Sequence, residues 1–510
     1  MKKGLISSLL FLSMTVSSSW AQGEDTVFIQ KRAFMHSAAK REFLTRPFLN
    51  PALNYYRQSY SLSTLGATGE WNGQSRATKA ELGDGWKGFL VAGDSYVCTS
   101  EKSRIWGDAY YRNGTCRNVQ WNESSDYELL YPYVAADTIG GDMKSETYFF
   151  RGGYAAATER WTFGGEFSYR AVQEFRDIDP RPNNKAADLQ AKVGASYGIR
   201  APYAVALSAE ARKYKQNGSL AYYNELGVSK TFHLTGLGNS YTRFDGTRTT
   251  VRYQGHSYGA GVDLLPVQAG GRWSGSFHYR HSFYEKMLPE SNDLTLNELK
   301  ENNLQGEVTR TFLRHARRFF GLKASVAYNE RKGTENLYGD AVNHIYPHIS
   351  AVEQFGSKAL HATASGSYEQ EQTEKWRWSL QPAIGYLQRE DTYHTPAKSM
   401  KYSLWSASLD FASTHKWSKS LLYARVYGIY QGKIDASLNI AGQTAHPYAL
   451  TVLQQNLEML SGSRTTYGFS LRWSRYIGKN LGYAEVGWQH TLYANHEKNR
   501  SFQAGIGVYL

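Results

Sequence analysis

The sequence predicts an all-β protein, a transmembrane antiparallel β-barrel of about 18 strands with about 16 as the alternative. Three observations carry that expectation. In residues 501–510, Phe502, Ala504, Ile506, Val508 and Leu510 are apolar, while Ser501, Gln503, Gly505, Gly507 and Tyr509 between them are polar or small. Such period-2 alternation sends one set of side chains to each face of a strand, and a clean strand at the very end suits a barrel whose last strand closes on its first. Short and long connections between candidate strands alternate along the chain, as in outer-membrane barrels. Finally, an export signal precedes a chain with no run of ~18 apolar residues, so no transmembrane helix is available.

Taken in order, Lys2 and Lys3 precede an apolar stretch over residues 4–16, and Ser17-Ser18-Ser19-Trp20-Ala21 follows with the small residues of a cleavage site. Residues 1–21 are therefore expected to be a signal peptide, with the mature chain beginning near Gln22 outside the cytoplasm. The 38 Tyr and 13 Trp suit the aromatic belts at two membrane interfaces. The formal charge is +13, of which Lys2 and Lys3 supply two. Basic chains often bind nucleic acid, but an exported barrel meets lipid phosphates and anionic solutes, so no nucleic-acid partner is expected. Cys98 and Cys116 make no disulfide framework. They are expected at opposite ends of a strand that spans ~30 Å, against the ~7 Å a disulfide allows, so both should be free thiols.

Residues 22–55 form an irregular, partly helical segment in which Phe34, Ala38 and Phe43 make a weak apolar face and Lys31, Arg32, Lys40, Arg41 and Arg46 make it basic. Glu24-Asp25-Thr26-Val27-Phe28-Ile29 resembles the N-terminal box of energy-coupled outer-membrane receptors, whose plug and 22-stranded barrel need a longer chain. Asn50-Pro51-Ala52-Leu53 resembles the Asn-Pro-Ala element of long-chain fatty-acid transporter barrels and related secretion-linked barrels. That resemblance implies a hatch folded into the lumen.

Residues 56–510 read as the barrel. Candidate strands start near residues 57, 86, 104, 144, 160, 187, 203, 249, 271, 301, 317, 358, 375, 400, 418, 464, 481 and 501. Long connections are expected over residues 113–142, 177–186, 218–245, 329–345 and 432–462. Strand alternation is clear where Trp161, Phe163, Phe167 and Tyr169 interleave with Thr162, Gly164, Glu166 and Arg170. Pro382 interrupts one strand pattern and predicts a bulge there or a different boundary. Leu450, Leu453, Leu457 and Leu460, between Pro447 and Gly462, predict a short amphipathic helix.

The non-lipid phase of the clearest strands puts Arg170, Lys192, Arg212, Arg272, Arg280, Lys323, Arg377, Arg425 and Arg472 in the lumen, against Glu166, Glu210 and Glu485. Such an excess in a narrow pore favours anions; the competing reading has these groups holding inward-folded loops. Trp121, Tyr127, Tyr131 and Tyr133 give the loop over residues 113–142 so much aromatic surface that it is expected to fold inward or cover the mouth. They are also the candidates for contact with a partner.

Trp121-Asn122-Glu123-Ser124-Ser125-Asp126-Tyr127, residues 130–142, Asp179-Pro180-Arg181-Pro182, Tyr223-Asn224-Glu225-Leu226-Gly227 and residues 233–238 together resemble a family of Bacteroidota outer-membrane β-barrels of unknown function. The resemblance spans nearly the whole mature chain. It implies a Gram-negative outer-membrane location and the barrel fold, and carries no substrate or catalytic residue.

Catalytic signals are weak. Gly93-Asp94-Ser95 reads as a turn sooner than as a hydrolase serine, with no His partner to name. His344 and His348 are separated by Pro347 and lack a third ligand, and residues 123–126 lack the spacing and glycine of a calcium loop. No enzyme activity, cofactor or metal is expected. The expected function is a porin-like channel or gated transporter for small, anionic solutes in contact with outer-membrane lipid. A barrel docking a surface lipoprotein or secreted partner is the alternative, and a barrel enzyme is third.

Overall fold

A strand edge left open in hydrocarbon would expose unpaired N–H and C=O groups, so a sheet can cross a bilayer only by closing on itself. The computed structural model describes residues 26–200, 202–223, 230–246, 250–267, 271–315, 317–343, 345–440 and 447–510. The strands in chain order are β1 (Leu62–Gln74), β2 (Gly85–Ser100), β3 (Ser103–Val119), β4 (Ala135–Ala136), β5 (Gly141–Ala157), β6 (Trp161–Phe175) and β7 (Arg181–Arg200). They continue as β8 (Tyr203–Ala221), β9 (Phe232–Gly236), β10 (Asn239–Ser240), β11 (Thr250–Pro266), β12 (Trp273–Leu288), β13 (Leu294–His315) and β14 (Arg318–Tyr338). The last are β15 (His348–Thr373), β16 (Trp376–Tyr393), β17 (Lys398–Lys416), β18 (Ser420–Ile440), β19 (Arg464–Ile477), β20 (Asn480–Tyr493) and β21 (Lys498–Tyr509).

All but β4, β9 and β10 form one 18-stranded antiparallel sheet, and β1 pairs with β21 to close it, Ala67 opposite Ile506. The three short strands make a small sheet of their own from loop segments. Outside, residues such as Phe163, Phe167, Val193, Leu207, Phe277, Val326, Ile384 and Ile506 stand exposed in a lipid-facing band. Two-residue turns close several strand pairs on the side of the two chain ends of the barrel, taken as periplasmic. In one, Gly478 takes φ 62° between paired Ile477 and Asn480, a conformation that favours glycine.

The barrel strand number is the expected one, and β8 and β19 start at the expected residues, Tyr203 and Arg464. Several boundaries differ. β1 begins at Leu62, not near 57, because Leu53–Tyr56 forms a 3-10 turn. β7, β13 and β15 begin at Arg181, Leu294 and His348, upstream of the expected 187, 301 and 358. The loops expected over 113–142, 177–186 and 329–345 shrink to 120–140, 176–180 and 339–347. The reason is physical: above the lipid band the outer face of a strand meets water, so the ladder continues without hydrophobic alternation. Lys300 opposite Lys332, both exposed, is such a polar rung.

Pro382 makes no bulge. It faces Leu409 in an unbroken β16–β17 ladder, and the β15–β16 register is the same on either side of it, Ser365 opposite Ala383 and Tyr368 opposite Leu380. The rung lost to its missing N–H lies opposite Gly366, where a Cβ would stand 3.6 Å from the proline ring. Gly93-Asp94-Ser95 is likewise no turn. It lies inside β2, paired with Ser63, Thr64 and Leu65 of β1.

The helices are α1 (Thr26–His36), α2 (Ala39–Phe43), α3 (Tyr127–Leu130) and α4 (Pro447–Ser461). The expected helix near 450–460 is present as α4, but its buried stripe is Val452, Leu453, Asn456 and Met459. Asn456 explains the offset: it accepts from the Ala80 backbone at 3.0 Å and donates to Glu81 at 2.8 Å, anchoring α4 over the β1–β2 loop. The expected signal peptide, residues 1–21, lies outside the described residues, as does His344. His348 Nε2 meets Asn336 Oδ1 at 3.3 Å.

Candidate solute path through the lumen

The lumen wall carries a belt of ion pairs between neighbouring strands. Lys192 sits 3.9 Å from both Glu166 and Glu210, and Arg280 bonds Glu210 at 2.5 Å. Arg212 bonds Asp188 at 2.5 Å, and Arg170 bonds Asp126 at 2.7 Å with Asp188 at 3.6 Å. Arg472 reaches Glu485 at 2.6 Å, Arg425 reaches Asp410 at 2.6 Å, and Lys323 lies 3.9 Å from Glu307. These groups are partly exposed, so each pair contributes only ~0–1 kcal/mol. Their larger effect is to cancel the wall's field.

Along these strands Arg170, Lys192, Arg212, Arg280, Lys323, Arg425 and Arg472 all pair with acidic groups, so the expected nine-to-three excess of bases does not describe the wall. Asp188, Glu307 and Asp410 also point in, and Asp126 arrives from a loop that strand phase cannot reveal. Arg272 stands exposed at the periplasmic rim, just before β12. Arg377 is buried and donates to the Phe34 carbonyl and, at 2.9 Å, to Ser37 Oγ.

Those last partners belong to the N-terminal segment, which lies inside the periplasmic half of the barrel. Gln30 Nε2 donates to the Trp417 and Ser420 carbonyls at 2.9 and 2.8 Å, holding α1 at the β17–β18 turn. Ser37 meets Thr414 at 3.2 Å, and Lys323 donates to the Phe43 carbonyl at 3.1 Å. The expected apolar face is real: Phe34, Ala38 and Phe43 are all buried. At the far end, Asn50 Nδ2 donates to Asp263 Oδ2 at 3.1 Å, and Asp263 Oδ1 meets His278 Nε2 at 2.9 Å.

The Asn-Pro-Ala stretch fits against two wall glycines. A Cβ on Gly194 would fall 2.1 Å from Asn50 Oδ1, and one on Gly164 2.4 Å from the Pro51 carbonyl carbon. Sequence reasoning missed this dock. A glycine in the wet phase of a strand signals close backbone approach, and Gly164 occupies that phase between Thr162 and Glu166. Between the segment and the opposite wall lies a cavity of about 980 Å³, lined by groups that include His36, Arg41, Arg57, Tyr423, Arg472 and Glu485.

The extracellular half is filled by loops. Tyr127, Leu130, Tyr133 and Val134 pack with Tyr241 and Phe244 of a second loop against Tyr214, Tyr253, Tyr284, Leu296 and Leu299 of the wall. Trp121, Tyr127 and Tyr133 are buried, and Tyr131 packs on Phe355. These aromatics build the inner plug and are not an outward docking surface. A wholly buried pair, Arg176 and Asp137 at 2.6 Å, locks the loop base. Beside it burial, reinforced by the Asp137 charge, holds the Glu123 carboxyl well above its usual range. Asp126, in the stretch that lacks a calcium loop's spacing, is engaged by Arg170 and by Tyr214 at 2.9 Å.

Residues 51–510 match DUF6850, described as a family of unknown function. The chain belongs to that family. The DUF6850 match begins at Pro51, inside the docked Asn-Pro-Ala stretch, so α1 and α2 precede it. No curated protein matches the sequence. Among solved structures, the chain resembles the ferric preacinetobactin receptor of Acinetobacter baumannii at 9% identity and a TM-score of 0.38, covering 88% of this chain and 80% of the receptor. It resembles the toluene transporter of Ralstonia pickettii at 10% identity and a TM-score of 0.28, covering 91% and 92% of the two chains. An Escherichia coli outer-membrane transporter is similar at 8% identity and a TM-score of 0.38, over 88% and 81%. Superpositions this loose carry no argument about what this DUF6850 protein moves or binds.

Proposed function

We propose that this barrel is a gated outer-membrane transporter for small anionic solutes, with residues 26–57 as the movable hatch. The observation that supports the reading is how the hatch is held. Dispersed hydrogen bonds from Gln30, Ser37, Arg377 and Lys323 and two small apolar contacts fasten it beside an open cavity. The loops of the extracellular half, by contrast, are joined through a continuous apolar core. The neutral hydrogen bonds of Gln30 and Ser37 contribute about 1 kcal/mol each and the charged ones of Arg377 and Lys323 ~1.5–3 kcal/mol, so each contact can be exchanged singly for water or for a ligand. Two barriers in series, apolar outside and polar inside, suit a path opened by a solute better than a standing pore.

Single-channel recording in planar bilayers tests this. Full-length protein should open rarely, and a variant lacking residues 26–57 should open persistently, with a reversal potential in a salt gradient that favours anions. No conductance after the deletion would favour a docking barrel instead, and a cation preference would remove the anionic cargo.

A further inference from the structure

The unbalanced charge of the lumen sits on the hatch and not on the wall. Across residues 26–57, Lys31, Arg32, Lys40, Arg41, Arg46 and Arg57 stand against Glu42 alone. Two of these cations, Arg41 and Arg57, line the 980 Å³ cavity together with the wall's Arg472. Among the described residues, neither Arg41 nor Arg57 is ion-paired with a carboxylate; Arg41 donates instead to Tyr60 Oη at 3.0 Å and Gln58 Oε1 at 2.7 Å.

The imidazole of His36 lies among the same groups. Burial, then Arg41, Arg57 and Arg472 in that order, push its pKa down to about 3, so the ring is neutral at physiological pH. A guanidinium can only donate, so the Arg41 contact with His36 Nδ1 leaves the ring proton on Nε2 as a further donor. Of the two wall carboxylates on the lining, Glu485 is already bonded by Arg472 at 2.9 and 2.6 Å, and Glu166 faces Lys192 at 3.9 Å. Six cations, Lys40, Arg41, Arg57, Arg151, Arg425 and Arg472, thus line the space against three carboxylates, Glu42, Glu166 and Glu485.

We propose that this cavity is the binding site for a small organic anion, a carboxylate or phosphate ester, held by Arg41 and Arg57 of the hatch and Arg472 of the wall. Guanidinium forks match the paired oxygens of such groups, and low-dielectric walls concentrate the attraction. Aromatic groups of Phe48, Tyr56 and Tyr423 on the same lining suit an anion with an apolar body. Because two of the three cations ride on the hatch, a bound anion acts on the element that must move. The assignment of that anion as cargo rests on the transport reading above.

The test is isothermal titration of succinate, inorganic phosphate and neutral succinamide into the full-length protein in detergent, with heat-modifiable migration confirming that every variant is folded. Saturable binding of succinate or phosphate is expected, with none for succinamide. Binding should be at least tenfold weaker in Arg57→Gln and Arg41→Gln, and unchanged in Lys479→Gln, which removes one charge at a distant turn. Arg57 makes no side-chain hydrogen bond among the described residues, so its variant keeps the test sound if Arg41→Gln misfolds. No binding by the wild type, or equal binding in the folded Arg57→Gln variant, overturns the site. A protein that binds succinate but never conducts keeps the site and loses the transport reading; one that conducts without binding either anion loses the site alone.

Discussion

Asn50 and Asp263 are 213 residues apart in sequence and share a buried 3.1 Å hydrogen bond that ties the hatch to the barrel wall. The same Asn50 accepts from the Ala52 backbone at 3.1 Å, which shapes the turn that follows, while His278 holds the second Asp263 oxygen at 2.9 Å. One short side chain therefore both bends the segment and fastens it. A hydrogen bond to a charged acceptor contributes ~1.5–3 kcal/mol, enough to make this one of the firm points of the hatch, beside the Arg377 and Lys323 bonds.

Crowding that point should release the segment. Gly194→Val places side-chain atoms where Asn50 Oδ1 lies, and Gly164→Ala does the same against Pro51. Overpacking of this kind costs ~1–3 kcal/mol, which detachment of the hatch avoids. Trypsin added from the periplasmic side should then cut at Lys31, Lys40 or Arg41 several-fold faster in both variants. Unchanged cleavage would place the anchor elsewhere.

The outer wall should punish charge according to depth. Val326 is exposed on the wall well inside β14, whereas Ile506 lies close to the periplasmic end of β21. An arginine costs ~2–4 kcal/mol near the bilayer midplane and ~0–1 near an interface. Val326→Arg should reduce folding into lipid vesicles far more than Ile506→Arg, measured by urea titration. Equal costs would contradict the lipid band assigned to these strands.

Cys98 and Cys116 should remain thiols in an oxidising compartment. Cys116 pairs with Trp86, twelve residues along β2 from Cys98, a separation of ~40 Å at 3.3 Å per residue. Both are free in the structure. Intact mass should be the same with and without reductant, once alkylation has counted two thiols.

The extracellular loop core should loosen as pH rises. Glu123 has a carboxyl pKa raised well above the usual 4.5 by burial and by Asp137, with Arg176 and Lys286 opposing. A folded state that keeps a proton the unfolded loop releases is at full strength below about pH 4.5 and weakens as pH climbs through the raised value. Glu81 shifts in the same direction, by burial, with Asn456 offsetting part. Hydrogen-exchange protection over residues 121–136, corrected for intrinsic rates, should be lower at pH 8 than at pH 5, and Glu123→Gln should flatten the difference.

Much of this architecture was legible because a membrane enforces strict alternation. Phe163, Phe167, Val326 and Ile506 must face lipid, and Arg170, Lys192 and Arg472 must not, so strand phase alone places them. Beyond the lipid band that constraint lapses, which is why β13 and β15 ran longer than expected. The inward fold of Tyr127 and Tyr133 followed from their area, but not that they pack with Tyr241 and Phe244, since nothing in sequence spacing links two loops. The Asn50–Asp263–His278 chain was hidden for the same reason: only the closed barrel brings β11 and β12 beside the hatch.

The hatch itself can be locked where Ser37 Oγ and Thr414 Oγ1 stand 3.2 Å apart. Ser37→Cys with Thr414→Cys, in a chain whose native cysteines are replaced by serine, allows a disulfide that pins α1 and α2 to β17. Single-channel openings should vanish under oxidising conditions and return on adding reductant, as the segment regains freedom to leave the lumen. Openings of the same size and frequency in the locked and released states would contradict a mobile hatch.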